Sequence, residues 1–382
     1  MEVSSKYGIY DKRFEKVFNE FDENLTSGID VGASFAVYSN GRPLIDLSGG
    51  FKNKEKTDFW SSETTVCIHS TGKGIIAMCF ALLIERGQMD LDARVSKYWP
   101  EFASNSKENI LVRTLLSHQA GLYAWKEKMS EEDFYNWDYC TKLLADQEPL
   151  HESGAEICYH AKSIGFLAGE LIKRISGMSA GRFLKEELID PLNLSCTIGT
   201  PTSEHKNIAE LISSPNLNDA FNDRDKIDNY TMGAFLNPGN RTRTANTEAF
   251  RSAEIPALNC HSNSSSLAQL YDNFINSNTH PASFIKEETV NSIIQKEVSG
   301  MDKVMKSPMT WSPVGFMVGG GKSFGKSGKA FGHTGWGGSL AFADPENKIG
   351  IAYSMNLLAG SMLGDSRAID LIAATLNQFR YF

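Results

Sequence analysis

The sequence predicts an α/β (α+β) protein, with an antiparallel sheet flanked by helices and a helical subdomain. Three observations lead to this class: a hairpin signal near the start, β-forming residues after residue 310, and helical periodicity through most of the middle. The 382 residues suffice for two domains, since single cores stop growing at about 250–300 residues. We expect residues 1–65 and 310–382 to form one α/β domain, and residues 66–309 a mainly helical domain with long loops.

The first elements are a helix and a β-hairpin. An apolar stripe with helical spacing runs through residues 10–25. Residues 32–47 are rich in β-forming side chains around Asn40-Gly41, a pair that favours a two-residue turn because both residues accept positive φ. The chain therefore opens with a helix followed by two paired strands.

The middle of the chain is helical and its end returns to strands. Apolar helices are predicted over residues 70–86 and 164–175, the second ended by Gly177. Residues 200–245 are polar and predict long surface loops. The pattern then predicts a helix, three strands and a closing helix, in chain order residues 265–275, 314–318, 338–343, 349–355 and 366–379.

Composition excludes several classes of protein. The net charge of -8 argues against a nucleic-acid-binding surface, which is normally basic. The longest apolar run, residues 75–84, is too short to span a membrane, and the first residues lack the apolar stretch of a signal peptide. We therefore expect a cytoplasmic protein.

The cysteines predict neither a metal site nor a disulfide framework. No pair has CxxC spacing, and no histidine stands at zinc-finger spacing from any of them. We interpret them as buried thiols, and we expect no metal and no cofactor. There are six: Cys67, Cys79, Cys140, Cys158, Cys196 and Cys260.

Ser70-Thr71-Gly72-Lys73 is the first candidate for chemistry. A spacing of three residues puts both side chains on one face of a helix, whose N-terminus offers N–H groups and the positive end of the dipole. A desolvated lysine at that place can act as a base. The spacing alone is not specific, because a solvated lysine near a capping serine has it too. Four other serines share it: Ser104, Ser203, Ser283 and Ser323. Only Ser70 opens a long apolar helix that would bury the turn.

Two motifs near residue 325 suggest other chemistry. Residues 321–325 match the G-x-S-x-G nucleophile elbow, and residues 320–327 match the G-x-x-x-x-G-K-S phosphate loop. Both motifs need a helix directly afterwards, and residues 326–332 have no helical periodicity. We interpret the segment as a flexible glycine-rich loop between strands.

Two further segments complete a candidate active site. Tyr159 stands just before the helix at residue 164, where it either packs or acts as a general base with a lowered pKa, sharing a proton with Lys73. The glycine-rich segment 331–338 lies at a strand, where a backbone N–H can join that of Ser70 in an oxyanion hole. The alternative for this segment is a strand edge with a packed tryptophan.

The order of these motifs resembles the serine β-lactamase and penicillin-binding superfamily. Within it, the chain is most similar to the family VIII carboxylesterases, relatives of class C β-lactamases. The resemblance implies the β-lactamase-like fold, with the active site between the two domains. It is carried by Ser70-Thr71-Gly72-Lys73, residues 91–102, residues 112–122, Tyr159-His160-Ala161 and Gly332-His333-Thr334-Gly335-Trp336-Gly337-Gly338.

The resemblance also implies a role for individual residues. Ser70 would be the nucleophile, Lys73 its proton partner, and Tyr159 the group that shuttles protons in acylation and deacylation. The backbone of Trp336 would be the second oxyanion donor, and Tyr123 a wall of the acyl pocket. The residues implied in the oxyanion hole and in substrate binding are Ser70, Tyr123, His333, Gly335, Trp336 and Gly337.

Two departures from the β-lactamases bear on the substrate. Ala161 replaces an asparagine that binds a substrate amide, and His333, which is mostly neutral at an ordinary pKa of about 6.5, replaces a lysine that counters a substrate carboxylate. The sequence therefore favours a serine carboxylesterase that cleaves short-chain acyl esters through a Ser70 acyl-enzyme. A β-lactamase or D-amino-peptidase, an acyltransferase and a non-enzymatic binding relative are the alternatives. The expected partner is a small-molecule ester.

Overall fold

The computed structural model describes residues 2–215, 217, 227–239, 242–276, 283–319 and 321–379. The α-helices of this part of the chain, α1 to α14 in order, are Glu15–Thr26, Gly72–Glu85, Val95–Tyr98, Val112–Leu116, Trp137–Asp146, Ser163–Ser176, Ala180–Leu184, Asn229–Leu236, Thr242–Ala245, Glu248–Ser252, Ser264–Ile275, Glu287–Ile293, Gly321–Phe324 and Ser366–Asn377. The strands, β1 to β15, are Glu2–Ser5, Gly8–Asp11, Gly32–Ser39, Arg42–Gly50, Val66–Cys67, Cys196–Thr197, Ile212–Ser213, His261–Ser262, Val298–Met301, Pro308–Trp311, Met317–Val318, Phe331–Thr334, Leu340–Asp344, Ile349–Met355 and Leu357–Leu358.

Ten of the described strands form one antiparallel sheet, in the order β1-β2-β4-β3-β14-β13-β12-β11-β10-β9. The two ends of the chain meet where β3 pairs with β14, from Ala33 opposite Met355 to Tyr38 opposite Gly350. The antiparallel sheet with flanking helices predicted for this fold class is thereby confirmed. In the β3–β4 hairpin, Asn40 and Gly41 have φ of 50° and 75°, as the two-residue turn requires.

Small side chains on one face of β14 let α11 approach the sheet closely. A Cβ at Gly350 would lie 2.1 Å from the carbonyl oxygen of Ala268 in α11. Four residues further along the strand and on the same face, Ser354 Oγ lies 2.9 Å from Ser264 Oγ at the start of α11. The helix is therefore fixed against the sheet although it belongs to the middle of the sequence.

The sequence predicted that the second part of the sheet begins at residue 310. In the structure it begins earlier. β9 begins at Val298 and pairs with β10, and α11 packs on the same sheet. The four residues of β9, Val-Ser-Gly-Met, are too few to give a period-two signal, and the sequence alone therefore could not assign them.

Three local predictions also differ from the structure. Helix α1 begins at Glu15 rather than at residue 10, because Gly8–Asp11 pairs with β4 as an extra strand. The strand predicted over residues 314–318 shortens to β11, because a turn closed by Gly315 N–H precedes it. The loops predicted over residues 200–245 contain short helices such as α8, while residues 216, 218–226, 240 and 241 lie outside the described residues.

The remaining sequence predictions concern the helices and the thiols. The second apolar helix ends at Ser176, and Gly177 follows it with φ of 75°. All six cysteines are free and buried, which confirms their interpretation as thiols. Among the described residues, no helix is both long enough and apolar enough to cross a bilayer.

Candidate active site

Ser70 lies in a short 3-10 turn, His69–Thr71, that leads directly into helix α2. Strand β5 ends just before this turn, and the Ile68 N–H donates to the Cys260 carbonyl at 2.9 Å. Gly72 lets the start of α2 approach this support, because a Cβ there would lie 2.6 Å from the Cβ of Cys260. The half-buried Ser70 is therefore presented by backbone that is held on both sides.

Lys73 directs its amine at the oxygen of Ser70. Its Nζ lies 2.8 Å from Ser70 Oγ and donates to the Ala257 carbonyl at 3.0 Å. Only 6% of the residue is exposed, and burial lowers the pKa of Lys73 well below its ordinary value. A lowered pKa favours the neutral amine, which is the form that can accept a proton from a serine. The structure thus brings together the two residues that the three-residue spacing put on one helical face.

Tyr159 reaches the same point from the segment that precedes helix α6. Its hydroxyl is close enough to the Ser70 side chain to interact with it, and Lys73 Nζ lies 5.1 Å from the centroid of its ring. The ring stacks on Trp311, with the centroids 5.6 Å apart and 4° between the planes. Tyr159 is therefore held by packing and is in contact with the nucleophile at the same time.

The lowered pKa expected for Tyr159 is wrong. Burial raises the pKa of its phenol above the ordinary value, and the interaction with the Ser70 side chain opposes this only in part. Desolvation penalises the phenolate, so the resting side chain is protonated. Lys73, whose pKa is lowered, is consequently the better base of the two.

Two buried histidines that were not singled out in the sequence support the Tyr159 backbone. His118 Nδ1 accepts from the His160 N–H at 3.1 Å, and the His118 carbonyl accepts from the Cys158 N–H at 3.0 Å. His160 Nε2 in turn accepts from the Leu122 N–H at 3.2 Å. Burial lowers the pKa of both rings, to about 3 for His160, which keeps them neutral and able to accept. The available signal was their position inside two of the segments that carry the family resemblance.

The turn between β12 and β13 packs against the nucleophile turn. The Gly338 N–H donates to the Gly335 carbonyl at 3.2 Å and closes the turn around Trp336. A Cβ at Gly335 would lie 2.4 Å from the Ile68 carbonyl oxygen, so the contact requires glycine. Among the described residues, neither the Ser70 N–H nor the Trp336 N–H donates to another group, which leaves both for an oxyanion.

His333 on β12 is buried and neutral. Its Nδ1 donates to the Thr334 carbonyl at 2.6 Å, and its Nε2 has no hydrogen-bond partner in the part of the chain that the structure describes. Burial, and after it the charge of Lys73, lowers the pKa of His333 to about 3. The neutral fraction of His333 at pH 7 is thus even larger than its ordinary pKa implies.

A pocket opens to solvent beside Ser70 and Tyr159. Its wall is mostly apolar and includes four methionines, which adapt to irregular ligand shapes. None of its described lining residues is Lys, Arg, Asp or Glu. The other lining residues are Phe235, Met305, Met309, Trp311, Met317, His333, Thr334, Trp336, Met362 and Leu363.

Three of the residues that the resemblance implied in the oxyanion hole and in substrate binding, Tyr123, Gly335 and Gly337, are not in this lining. Tyr123 stacks instead on Tyr230, with 5.4 Å between the ring centroids. Gly337 packs under Leu358, where a Cβ would lie 2.3 Å from Leu358 Cδ2. Phe235 and the methionines form the wall that the resemblance led us to expect from Tyr123.

Ser323 stands apart from this set of residues. It is buried, and its Oγ donates to the Leu363 carbonyl at 2.5 Å. Helix α13 ends at Phe324, so neither motif around residue 325 leads into the helix that it requires. Gly320, the first residue of the phosphate-loop match, lies outside the described residues.

Comparison with known proteins finds β-lactamase-like relatives over nearly the whole chain. The Beta-lactamase family matches residues 21–374. The Esterase/beta-lactamase LipL of Mycobacterium tuberculosis is 27% identical over 369 residues, which cover 94% of this chain and 84% of that protein. An N-acetylmuramyl-L-alanine amidase of Bacillus subtilis is 24% identical, over 90% of this chain and 81% of its own length.

Solved structures are similar over almost the full length as well. A family VIII carboxylesterase is 34% identical with a TM-score of 0.90, over 97% of this chain and 99% of its own. A penicillin-binding protein homologue from Caulobacter crescentus is 31% identical with a TM-score of 0.89, over 97% and 98% of the two chains. The resemblance predicted from the motifs is confirmed, and the chain belongs to the β-lactamase family as a serine hydrolase with the β-lactamase-like fold.

Proposed function

We propose that the protein is a carboxylesterase that cleaves short-chain acyl esters through a Ser70 acyl-enzyme. The observation that carries this proposal is the buried Lys73 amine 2.8 Å from Ser70 Oγ, beside a pocket whose described lining has no charged side chain. We also propose that this site lies between an α/β domain formed by both chain ends and a mainly helical domain.

In acylation, Ser70 Oγ attacks the carbonyl carbon of the ester while its proton passes to the neutral Lys73 amine. The carbonyl π electrons move to the oxygen, and the N–H groups of Ser70 and Trp336 stabilise that oxyanion. When the tetrahedral intermediate collapses, the bond to the alkoxide breaks. The leaving alkoxide takes the Tyr159 hydroxyl proton, and the Lys73 ammonium returns a proton to Tyr159.

In deacylation, the same groups work with water in place of the substrate alcohol. Water attacks the acyl carbon and gives up a proton to Lys73 through Tyr159. The bond to Ser70 Oγ then breaks, and the serine regains its proton from Lys73. A raised pKa at Tyr159 supports this relay role, because the residue enters each step as a protonated donor.

The pocket supports a neutral ester as substrate. A β-lactam brings a carboxylate and a side-chain amide, and leaving a buried polar group unpaired costs about 1–3 kcal/mol. His333 is neutral, and the buried Ala161 has no amide to offer. An ester with apolar substituents loses no partner here. Two of the similar proteins, a family VIII carboxylesterase and an esterase/beta-lactamase, support the same substrate class.

The test compares p-nitrophenyl esters of increasing acyl length with nitrocefin, each relative to its uncatalysed hydrolysis. We expect kcat/KM for a short ester to exceed that for nitrocefin by at least about 10²-fold, since each 1.36 kcal/mol is tenfold and two groups lose partners. Ala161→Asn with His333→Lys should narrow the gap, and Ser70→Ala should abolish both reactions. Equal use of nitrocefin would assign a β-lactamase instead, and acyl products formed from an added alcohol would assign an acyltransferase.

A further inference from the structure

Three potential metal ligands converge on the outer side of the segment that carries Tyr159. The ligand atoms of His151, Glu156 and Cys158 all lie within 4.8 Å of one another. A turn at residues 153–155 brings them together, with the Gly154 N–H bonded to the Gln119 carbonyl at 2.9 Å. Their spacing in the sequence matches no common metal motif, which is why only the folded chain reveals them.

The histidine ring is oriented so that Nε2 is the atom that can bind a metal. Its Nδ1 donates to the Glu152 carbonyl at 2.8 Å, which in the neutral ring leaves the lone pair on Nε2. That Nε2 atom is buried and has no hydrogen-bond partner among the described residues. A buried acceptor without a partner costs free energy, and an ion bound to it would remove that cost.

The other two ligands are oriented as well. Glu156 Oε2 accepts from the Tyr230 hydroxyl at 3.0 Å and lies 3.8 Å from Cys158 Sγ. Metal-bound histidines and carboxylates usually have such outer partners, here the Glu152 carbonyl and the Tyr230 hydroxyl. His151 and Glu156 are half-buried while Cys158 is buried, so an ion can enter from the side of the first two.

We propose that His151, Glu156 and Cys158 form a Zn²⁺ site next to the active site. One nitrogen, one oxygen and one sulfur ligand suit tetrahedral Zn²⁺, with water in the fourth position. Ligand distances of about 2.0–2.3 Å require the three side chains to close in by rotamer adjustments. On binding, the S–H bond breaks, the sulfur electron pair forms the Zn–S bond and the proton goes to solvent. Tyr159 follows Cys158 directly, so the ion would fix the backbone that carries the proposed proton shuttle.

The test measures metal binding directly and does not depend on esterase activity. The reduced, EDTA-treated protein is titrated with Zn²⁺ against a chromogenic chelator, and with Co²⁺ to detect the thiolate-to-metal charge-transfer band. We expect one ion per chain and a thiolate band. Cys158→Ser should remove the band, and both it and His151→Gln should weaken Zn²⁺ binding by at least about 10-fold, the lower end reported even for outer partners.

Cys140→Ser is the matched control. Its thiol is also fully buried and donates to the Asp133 carbonyl at 3.3 Å, a bond that a serine hydroxyl can keep. This variant should bind Zn²⁺ and show the band as the unmodified protein does. Absence of the band in the unmodified protein would overturn the proposal. So would a Zn²⁺ affinity in Cys158→Ser and His151→Gln equal to that of the unmodified protein. His151→Gln changes a half-buried side chain, so a folded variant remains available if Cys158→Ser does not fold.

Discussion

Replacing Tyr159 by phenylalanine removes one oxygen atom and keeps the ring that stacks on Trp311. In the proposed mechanism that oxygen passes protons between Lys73, Ser70 and the leaving group. General acid–base catalysis contributes about 10²–10⁴-fold, so we expect kcat to fall by at least about 10²-fold. At 1.36 kcal/mol per tenfold change, this corresponds to about 3–5 kcal/mol in the barrier.

The expected effect of this change on stability is much smaller. The hydroxyl interacts at most with the Ser70 side chain, and Ser70 Oγ keeps the Lys73 amine at 2.8 Å when the hydroxyl is gone. A single net hydrogen bond is worth about 0.5–1.5 kcal/mol. The variant should therefore remain folded, and its Tm should change by a few degrees at most. The assay is steady-state hydrolysis of a short p-nitrophenyl ester, with Tm measured on the same samples.

Tyr353→Phe is the matched control for the same chemical change. The Tyr353 hydroxyl donates to both carboxylate oxygens of buried Asp30, at 2.9 and 2.8 Å, and Asp30 also pairs with Arg367 at 2.8 Å. We expect this variant to lose about 1–3 kcal/mol of stability and to keep its kcat, because a carboxylate outside the pocket loses a donor. The two substitutions should thus separate catalysis from stability.

The result that would refute the reasoning is a Tyr159→Phe variant with kcat within tenfold of the unmodified enzyme, which would reduce the tyrosine to a packing role. A double variant with Lys73→Ala adds a second check. If Lys73 and Tyr159 act as one unit with Ser70, the double variant should be little slower than the slower single variant. Fully additive losses would contradict a shared proton path.

Three further predictions concern the nucleophile and its surroundings. A serine-directed phosphonate should label the Ser323→Ala variant and not Ser70→Ala, and a peptide map with the label on Ser323 would contradict the mechanism. Lys73→Met should abolish activity and raise Tm at neutral pH. Burial lowers the pKa of Lys73 in the folded state, so below the ordinary pKa of 10.5 the unfolded chain binds more protons than the folded chain. The lysine therefore destabilises the native state increasingly as pH falls. The Tm gain should shrink toward pH 10.5, and a gain independent of pH would point to packing alone. Gly335→Ala should lower both Tm and kcat/KM, because its Cβ would meet the Ile68 carbonyl oxygen at 2.4 Å; unchanged values for both would show that the turn is not rigid.

Local pattern was enough to predict several elements of this protein. The Asn40-Gly41 turn follows from positive φ at two adjacent residues, and the end of α6 follows from a glycine in the left-handed region. The shared face of Ser70 and Lys73 follows from the helical repeat. The family followed from several motifs in a fixed order, and the antiparallel sheet followed from β-forming segments at both ends.

Short or weakly patterned segments could not be predicted from the sequence. β9 and β11 have four and two residues, and their pairing depends on neighbours that the folded chain supplies. The direction of the Tyr123 ring was undetermined for the same reason, since one aromatic residue beside a turn has no periodicity. The pocket wall of Phe235 and four methionines gathers residues that are far apart in the chain.

By itself the sequence determined which residue types the active site contains and in what order the chain presents them, because helical repeats, turns and motifs depend on neighbouring residues. Only the tertiary structure decided their protonation. Lys73 meets the Ala257 carbonyl 184 positions away, and burial by such distant residues lowers its pKa while raising that of Tyr159, against the expectation for the tyrosine. Tertiary structure likewise made a cluster of His151 and Cys158, because a turn and surrounding packing, not spacing, set the distance between them. Desolvation and convergence are properties of the whole packed chain, and a local pattern does not contain them.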